Sequence, residues 1–198
     1  MRSFTGNFTP DELPKAVQLA HAAGVKVHCT VNIMPRNDEA AALPAYLEQL
    51  DAAGVDALIL ADLGAFTLAG KYAPRCERHI STQQSIANYV CAQSWFDLGA
   101  RRVVLARELT FDEIREIRQN IPGDMVLESF IHGAMCISYS GRCLLSNYMT
   151  CRDSNRGACS HPCRWKYFLM EETRPGEYMP VFENERGTFI YNSKDLCM

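Results

Sequence analysis

The stretch DEAAALPAYLEQLDAAGVDALILAD (residues 38–62) contains the unit from which this chain of 198 residues is built. Apolar residues at helical spacing run from Asp38 to Ala53, Gly54 ends the helix, and VDALILA (residues 55–61) follows as a buried strand. The same order recurs along the chain without the turn residues of a β-hairpin. We therefore expect an α/β fold with a parallel sheet that is covered by helices.

Further copies of this unit lie on both sides of the opening stretch. The spacing between strands is typical of (β/α) units in a TIM barrel, but six strands are fewer than the eight that close one. We therefore expect an incomplete, TIM-barrel-like fold that lacks N-terminal β/α units, with residues 1–135 as the partial barrel and residues 136–198 as a cysteine-rich region. Helices are predicted at residues 10–23, 83–98 and 110–120, and strands at 25–33, 79–82, 101–106, 125–130 and 188–196.

Polar side chains follow the strand ends, which in a barrel converge on the mouth where such folds place their sites. Some of these residues are ordinary helix caps, a reading that suits Asp62 and Thr82. It suits Arg107, Glu108 and His132 poorly, because arginine, glutamate and histidine are weak caps, and these three are therefore candidate catalytic residues. Glu128, within a strand, is a further candidate, or else a structural carboxylate paired to Arg107. The full set beyond the strands is Asn32, Asp62, Thr82 with Gln83, Arg107 with Glu108, and His132.

Nine cysteines are the main chemical feature of the chain. The sequence has no apolar run that could span a membrane and no signal peptide, which favours a cytoplasmic protein with no membrane partner. An odd number of cysteines in a reducing compartment indicates metal or redox chemistry rather than a disulfide framework. Cys29 in a strand and Cys91 on a helix are expected to be buried as small apolar residues, and Cys76 has no assigned role.

Five of the other six cysteines follow the pattern Cys136-x6-Cys143-x15-Cys159-x3-Cys163, with Cys197 further along the chain. Structural zinc sites usually have two closely spaced pairs, whereas only the last pair of this pattern is close. Wide spacing from several loops favours a 4Fe-4S cluster, with zinc and uncoordinated thiols as alternatives. Because Cys136 lies shortly after a strand end, the centre is expected at the barrel mouth.

Basic residues surround these cysteines, with Asp153 as the one acid among them. Tyr139, Tyr148 and Trp165 are interleaved and could stack on unpaired bases. The pattern is compatible with RNA binding and also with a solvated basic loop, and Trp165 could equally belong to a core. The candidate RNA-binding residues are Arg142, Arg152, Arg156, Arg164, Lys166 and Trp165.

The segment ESFIHGAMCISYSGRCLLS (residues 128–146) resembles the signature of the U32 family, the collagenase-like peptidases. The resemblance extends over nearly the whole chain and implies a (β/α) barrel whose members begin before Met1 of this sequence. RDSNRGACSHPCRW and RPGEY look most like the branch that makes 5-hydroxyuridine at the tRNA wobble position. Besides the signature, five segments resemble the family: ISTQ (80–83), VLARELT (104–110), RDSNRGACSHPCRW (152–165), RPGEY (174–178) and NSKDLCM (192–198).

That resemblance implies oxygen-independent tRNA hydroxylation with prephenate as co-substrate and a cysteine-bound 4Fe-4S cluster. The shared ligands would be Cys136, Cys143 and Cys159. Branches of the family differ in the fourth ligand; we favour Cys197, with Cys163 as the alternative. The tRNA anticodon loop would be the main partner, and a homo- or hetero-oligomer with a related U32 protein is also expected.

Two other functions compete with hydroxylation. The family name implies proteolysis, for which the sequence offers Ser138, Ser140 or Ser146 near His132, but no G-x-S-x-G or H-E-x-x-H motif. The second alternative is a binding subunit with a structural metal and no chemistry of its own.

Hydroxylation of a base is redox chemistry that requires a cofactor, and Glu108, Glu128 or His132 would then move protons.

Overall fold

The computed structural model describes residues 6–134, 136–170, 175–176, 178–180 and 195–197. The helices among these residues are α1 (Leu13–Ala22), α2 (Asn37–Ala52), α3 (Leu63–Tyr72), α4 (Tyr89–Asp97), α5 (Phe111–Gln119) and α6 (Leu145–Thr150). The strands are β1 (His28–Val31), β2 (Ala57–Leu60), β3 (Glu77–Ile80), β4 (Arg102–Val104), β5 (Val126–Glu128), β6 (His132–Ala134), β7 (Phe168–Met170), β8 (Tyr178–Pro180) and β9 (Asp195–Cys197).

Strands β1 to β5 form a parallel sheet in which each strand lies beside the next one in the chain. A helix connects each neighbouring pair, which confirms the predicted α/β class with a parallel sheet. The described residues form an open sheet with β1 and β5 at its edges. The TIM barrel, its incompleteness and the division at residue 135 therefore stay predictions.

The two faces of the sheet differ in polarity. On the face that the helices cover, Leu58, Leu60 and Ile80 are fully buried and pack against Phe66 and Leu47 of α3 and α2. The register places a second set on the opposite face, which is rich in titratable groups. That set includes His28, Thr30, Glu77, His79, Arg102 and Glu128.

Three local predictions need correction. Helix α3 was not predicted, although Asp62 caps it as expected by accepting a hydrogen bond from the Ala65 amide at 2.8 Å. The helix predicted from residue 83 begins instead at Tyr89, because Ser85 adopts a left-handed conformation (φ 54°) and Asn88 caps α4. Thr82 does not act as a cap; its hydroxyl donates to the Leu105 carbonyl.

Two small antiparallel pairs lie outside the parallel sheet. Strand β7 pairs with β8, and β6 pairs with β9. The prediction that residues 188–196 supply a sixth parallel strand is therefore wrong for its last two residues, which belong to β9; residues 188–194 lie outside the described part. Within the described ranges, no helix is both long and apolar enough to cross a membrane.

Candidate cysteine site at the carboxyl ends of the parallel strands

Four cysteines of the cysteine-rich region line one cavity of about 220 Å³. They come from separate loops and short helical turns after β6, so their meeting is a tertiary effect. Their neighbours in the wall include Ser146, Ser154 and His161. The four are Cys136, Cys143, Cys159 and Cys163.

Cys143 is held from several directions. The side chain of Asn155 accepts a hydrogen bond from the Cys143 amide at 3.2 Å and donates one to its carbonyl at 3.1 Å. The Ser154 hydroxyl donates to the same carbonyl. The amide of Leu145, at the start of α6, lies 3.2 Å from Cys143 Sγ and donates to it. This contact fixes the position of the sulfur relative to α6.

Cys159 and Cys163 are placed by a hydroxyl network and a short helical turn. The Ser160 amide donates to the Ser146 hydroxyl at 3.0 Å, which ties the loop of Cys159 to α6. Ser146 is fully buried, and its hydroxyl also lies 3.0 Å from that of Ser160. The His161 amide donates to Cys159 Sγ at 3.3 Å. These contacts place Cys159, and the short helical turn Pro162–Arg164 carries Cys163 into the same cavity.

The pKa of the Cys163 thiol is raised by burial and by the other three cysteines of the cavity. Burial raises its pKa most, and negative charge on Cys136, Cys159 and Cys143 raises it further, while a hydrogen bond from the Ile137 backbone lowers it.

This cavity is where the sequence predicts an inorganic centre. A tetrahedral zinc with Zn–S bonds of 2.3 Å brings its sulfurs to about 3.8 Å from each other. In the part of the chain that the structure describes, no three histidine, cysteine or acidic side chains are grouped to hold a metal ion. The kind of inorganic centre, a 4Fe-4S cluster or zinc, therefore stays a prediction.

The predicted fourth ligand, Cys197, lies on β9, opposite His132 of β6 in the antiparallel register. Its backbone is therefore brought close in register to the strand that precedes Cys136. The alternative, Cys163, is in the cavity itself. His132 is exposed and is not among the cavity's lining residues.

The cavity is joined to the parallel sheet through the turn Tyr139–Gly141. Glu108, after β4, accepts hydrogen bonds from the Ser140 amide at 2.7 Å and from its hydroxyl at 3.0 Å. The Nε atom of Arg142 donates to the carbonyl of Gln83, after β3, at 2.9 Å. The structure thus brings Gln83 and Glu108 to the cysteine site, at the carboxyl ends of their strands.

Glu128 does not pair with Arg107. It accepts a hydrogen bond from Arg102 Nη1 at 2.9 Å, so the proposed structural pair has a different partner. Arg107 is instead near Gly141. Its Nε and Nη2 atoms are buried without a hydrogen-bond partner among the described residues, as is Gln83 Oε1.

Three of the predicted RNA-binding residues, Arg142, Arg152 and Arg156, donate hydrogen bonds within the fold. Arg156 binds Glu39 of α2 through two nitrogens, at 2.6 and 3.2 Å, and this hydrogen bond lowers the pKa of Glu39. The Nε atom of Arg152 donates to the Ala158 carbonyl at 3.1 Å. Arg164 and Lys166 have exposed side chains.

Trp165 is not a core residue, since 47% of it is exposed and its ring stacks on Tyr167 with centroids 6.4 Å apart. Tyr148 is 88% exposed and Tyr139 is 54% exposed. These aromatic rings and the exposed cations lie at the surface, and they are close to the cysteines along the chain.

Sequence reasoning missed the residues that attach the cysteine-rich region to the sheet. Besides Glu39, they include Asn155, whose carbonyl accepts from the Met34 amide at 3.0 Å, and Arg36, which donates to Asp153 at 3.1 Å. The one local signal was Asp153 itself, whose carboxylate accepts from the Asn155 amide in a turn typical of aspartate.

The fold and the site define a class: an α/β protein with a cysteine cavity at the carboxyl ends of parallel strands. A family model described as Peptidase family U32 matches residues 1–198. The chain belongs to this family.

Named relatives add further detail. The chain is 44% identical over 196 residues to tRNA hydroxylation protein P1 of Bacillus subtilis, covering 99% of this chain and 46% of that protein. It is 40% identical over 161 residues to a 23S rRNA 5-hydroxycytidine synthase of Escherichia coli, covering 81% of this chain and 24% of that protein. It therefore spans half or less of these relatives.

A solved structure of a U32 peptidase is similar in fold. The TM-score is 0.58 with 17% sequence identity, and the alignment covers 92% of this chain and 73% of the other. At this identity the similarity concerns the fold alone.

Proposed function

We propose that this chain belongs to an RNA hydroxylase that converts the wobble uridine of tRNA to 5-hydroxyuridine without molecular oxygen. The single observation that carries the proposal is the meeting of Cys136, Cys143, Cys159 and Cys163 in one cavity, whose wall also contains the exposed Arg164. Relatives named for tRNA and rRNA hydroxylation support the reaction class. The sheet would be part of a larger (β/α) barrel.

The donor set fits a 4Fe-4S cluster. Soft thiolates select iron–sulfur centres, and amide hydrogen bonds to Cys143 and Cys159 stabilise sulfur that carries negative charge. Cys136, Cys143 and Cys159 would bind the cluster, with Cys163 or Cys197 as the fourth ligand. When bound, the cluster would supply the electron-transfer chemistry that amino-acid side chains lack.

RNA would approach the exposed surface of the cysteine-rich region. Arg152, Arg164 and Lys166 would contact phosphates, and Trp165 and Tyr148 would stack on bases of the anticodon loop. We assign Arg156 to the fold of this region, because Glu39 already binds it.

Prephenate is the proposed co-substrate. An observation that favours an anion is the unpaired edge of Arg107, since Nε and Nη2 form the fork that binds a carboxylate. Both atoms are buried, and Nη2 lies beside Gly141 of the turn Tyr139–Gly141. Pairing with a related U32 protein and a cytoplasmic location stay predictions.

The test compares two cysteines after anaerobic purification. The unaltered chain should hold about four iron and four sulfide and absorb visible light. Cys143→Ser should remove both, whereas Cys151→Ser, which changes an exposed cysteine, should retain them. Mass spectrometry of tRNA from cells that depend on the full-length protein should show 5-hydroxyuridine lost with the first variant only.

Other outcomes would favour the alternatives. A colourless protein with one zinc that binds RNA and leaves uridine unmodified would indicate a binding subunit. Cleavage of gelatin without iron would indicate a peptidase. The observed contacts do not favour the latter, because the hydroxyls of Ser140 and Ser146 bond to Glu108 and Ser160.

A further inference from the structure

Glu108 holds both donors of a single residue. Its Oε1 accepts from the Ser140 amide at 2.7 Å and its Oε2 accepts from the Ser140 hydroxyl at 3.0 Å. Ser140 is 1% exposed and has a φ of 46°, a left-handed conformation that costs free energy for a residue with a side chain. Hydrogen bonds to a carboxylate are stronger than those between neutral groups, so Glu108 can hold this strained residue in place.

A second contact fixes the other side of the same turn. Arg142 Nε donates to the Gln83 carbonyl at 2.9 Å, and Gly141 lies between the two anchored residues with a φ of 91°. A Cβ atom at Gly141 would be 3.5 Å from Arg107 Nη2, so the turn lies against the residues after β4. The anchors therefore reach the loops after two neighbouring strands.

The turn lies between Cys136 and Cys143 in the chain, and both line the cavity. We infer that Glu108 is a positioning residue: through Ser140 it fixes the two cysteines relative to the ends of β3 and β4. This role is different from the proton movement that its place after a strand predicts, and the two are separated below. The inference rests on the proposed function only in taking the cavity as the site of the inorganic centre.

Glutamine at position 108 separates positioning from proton transfer. Its amide oxygen can accept from the Ser140 amide, and its NH2 group can donate to the Ser140 hydroxyl, which also accepts hydrogen bonds. Glu108→Gln thus keeps both contacts but removes the charge and the titratable proton. Glu108→Ala removes both contacts, and Ser140→Ala removes one. Glu116→Ala, at an exposed glutamate of α5, is the matched control.

The first readout does not require a cluster. In the full chain freed of metal and kept reduced, we measure the alkylation rates of Cys136 and Cys143 by peptide mass spectrometry, with circular dichroism to verify the fold. Glu108→Ala should raise these rates about tenfold or more, which corresponds to loss of hydrogen bonds to a charged group. Ser140→Ala should give a smaller increase, and Glu108→Gln and Glu116→Ala should stay within about twofold of the unaltered chain.

The second readout is the iron and sulfide content and the visible spectrum after anaerobic purification. Glu108→Gln should retain both and Glu108→Ala should lose most of the iron. If Glu108→Gln were as impaired as Glu108→Ala in both readouts, or if Glu108→Ala left alkylation unchanged, the positioning role would be wrong. If the unaltered chain held no iron, the proposed cluster would fail, while the alkylation rates would still decide the role of Glu108.

Discussion

The parallel sheet and the cysteine-rich region are stabilised by different means. In the sheet, the residues that are almost fully buried are mostly apolar, such as Leu58, Leu60 and Ile80, with His79 as a polar exception. In the described part of the cysteine-rich region, the buried residues are Ser140, Ser146, Pro162 and Cys163. Apolar burial stabilises a fold without a ligand. A region that is held by hydrogen bonds and contains several thiols around one cavity gains stability when those thiols bind a ligand.

This difference implies two levels of stability in one chain. The cysteine-rich region contacts the rest of the fold through polar side chains, as in Arg156 with Glu39. It also buries few apolar residues of its own. We therefore expect it to open locally while the sheet remains folded.

The largest effect is expected in the sheet. Leu58→Ala removes a fully buried side chain between β2 and its covering helices, and should lower the free energy of unfolding by about 2–5 kcal/mol. Denaturant unfolding measures it. Leu19→Ala, at a residue that is 76% exposed, is the control and should stay within about 0.5 kcal/mol. A loss below about 1 kcal/mol for Leu58→Ala would contradict a core centred on this face.

A smaller and local effect is expected in the cysteine-rich region. Asn155→Ala removes both side-chain hydrogen bonds to Cys143 and should lower the free energy of local opening by about 1–3 kcal/mol. Hydrogen exchange should become faster in residues 143–156 and stay unchanged in β2 and β4.

Asn147→Ala, at an exposed position on α6, is the matched control for Asn155→Ala. Its exchange rates should equal those of the unaltered chain. If Asn155→Ala instead lowered the midpoint of global unfolding as much as Leu58→Ala does, the two regions would form one cooperative unit and the comparison would fail.

The sheet could be predicted because its information is local. Periodicity predicts β1 to β5 and helices α1, α2, α4 and α5, and in the structure Thr110 and Glu113 form a capping box at the start of α5. Helix α3 was missed because it contains Gly64 and Gly70, which lower helix propensity. Gly70 has a tertiary reason: a Cβ there would be 3.0 Å from Arg78 Nη1.

The site was only partly predictable. Spacing drew attention to Cys136, Cys143 and Cys159, and the structure places them in one cavity, with Cys163. Their role as ligands stays a prediction. The contacts that position them join distant parts of the chain, such as Arg156 with Glu39, which are 117 residues apart, and no local pattern encodes such a pair.

The smallest effect concerns pH and separates the two regions further. In the sheet, burial lowers the pKa of His79, and a hydrogen bond from the ring to Glu77 offsets part of this shift. Charge on Arg102 and His28 lowers it further. The unfolded chain therefore takes up a proton before the folded chain does. Stability should fall as the pH drops through the ordinary histidine range, about 6.5.

Glu39 responds in a different pH range. Its lowered pKa means that its contribution is complete above the ordinary glutamate value and is lost only as the pH falls below that value. Between about pH 7 and pH 5, metal-free protein should therefore lose stability in global unfolding, while the opening free energy of residues 152–156, obtained from hydrogen exchange corrected for the intrinsic rate at each pH, changes little. His79→Gln should reduce the slope of unfolding free energy against pH. Equal slopes in both proteins would show that His79 is not held neutral, and a parallel loss at residues 152–156 would show that the two regions respond to acid together.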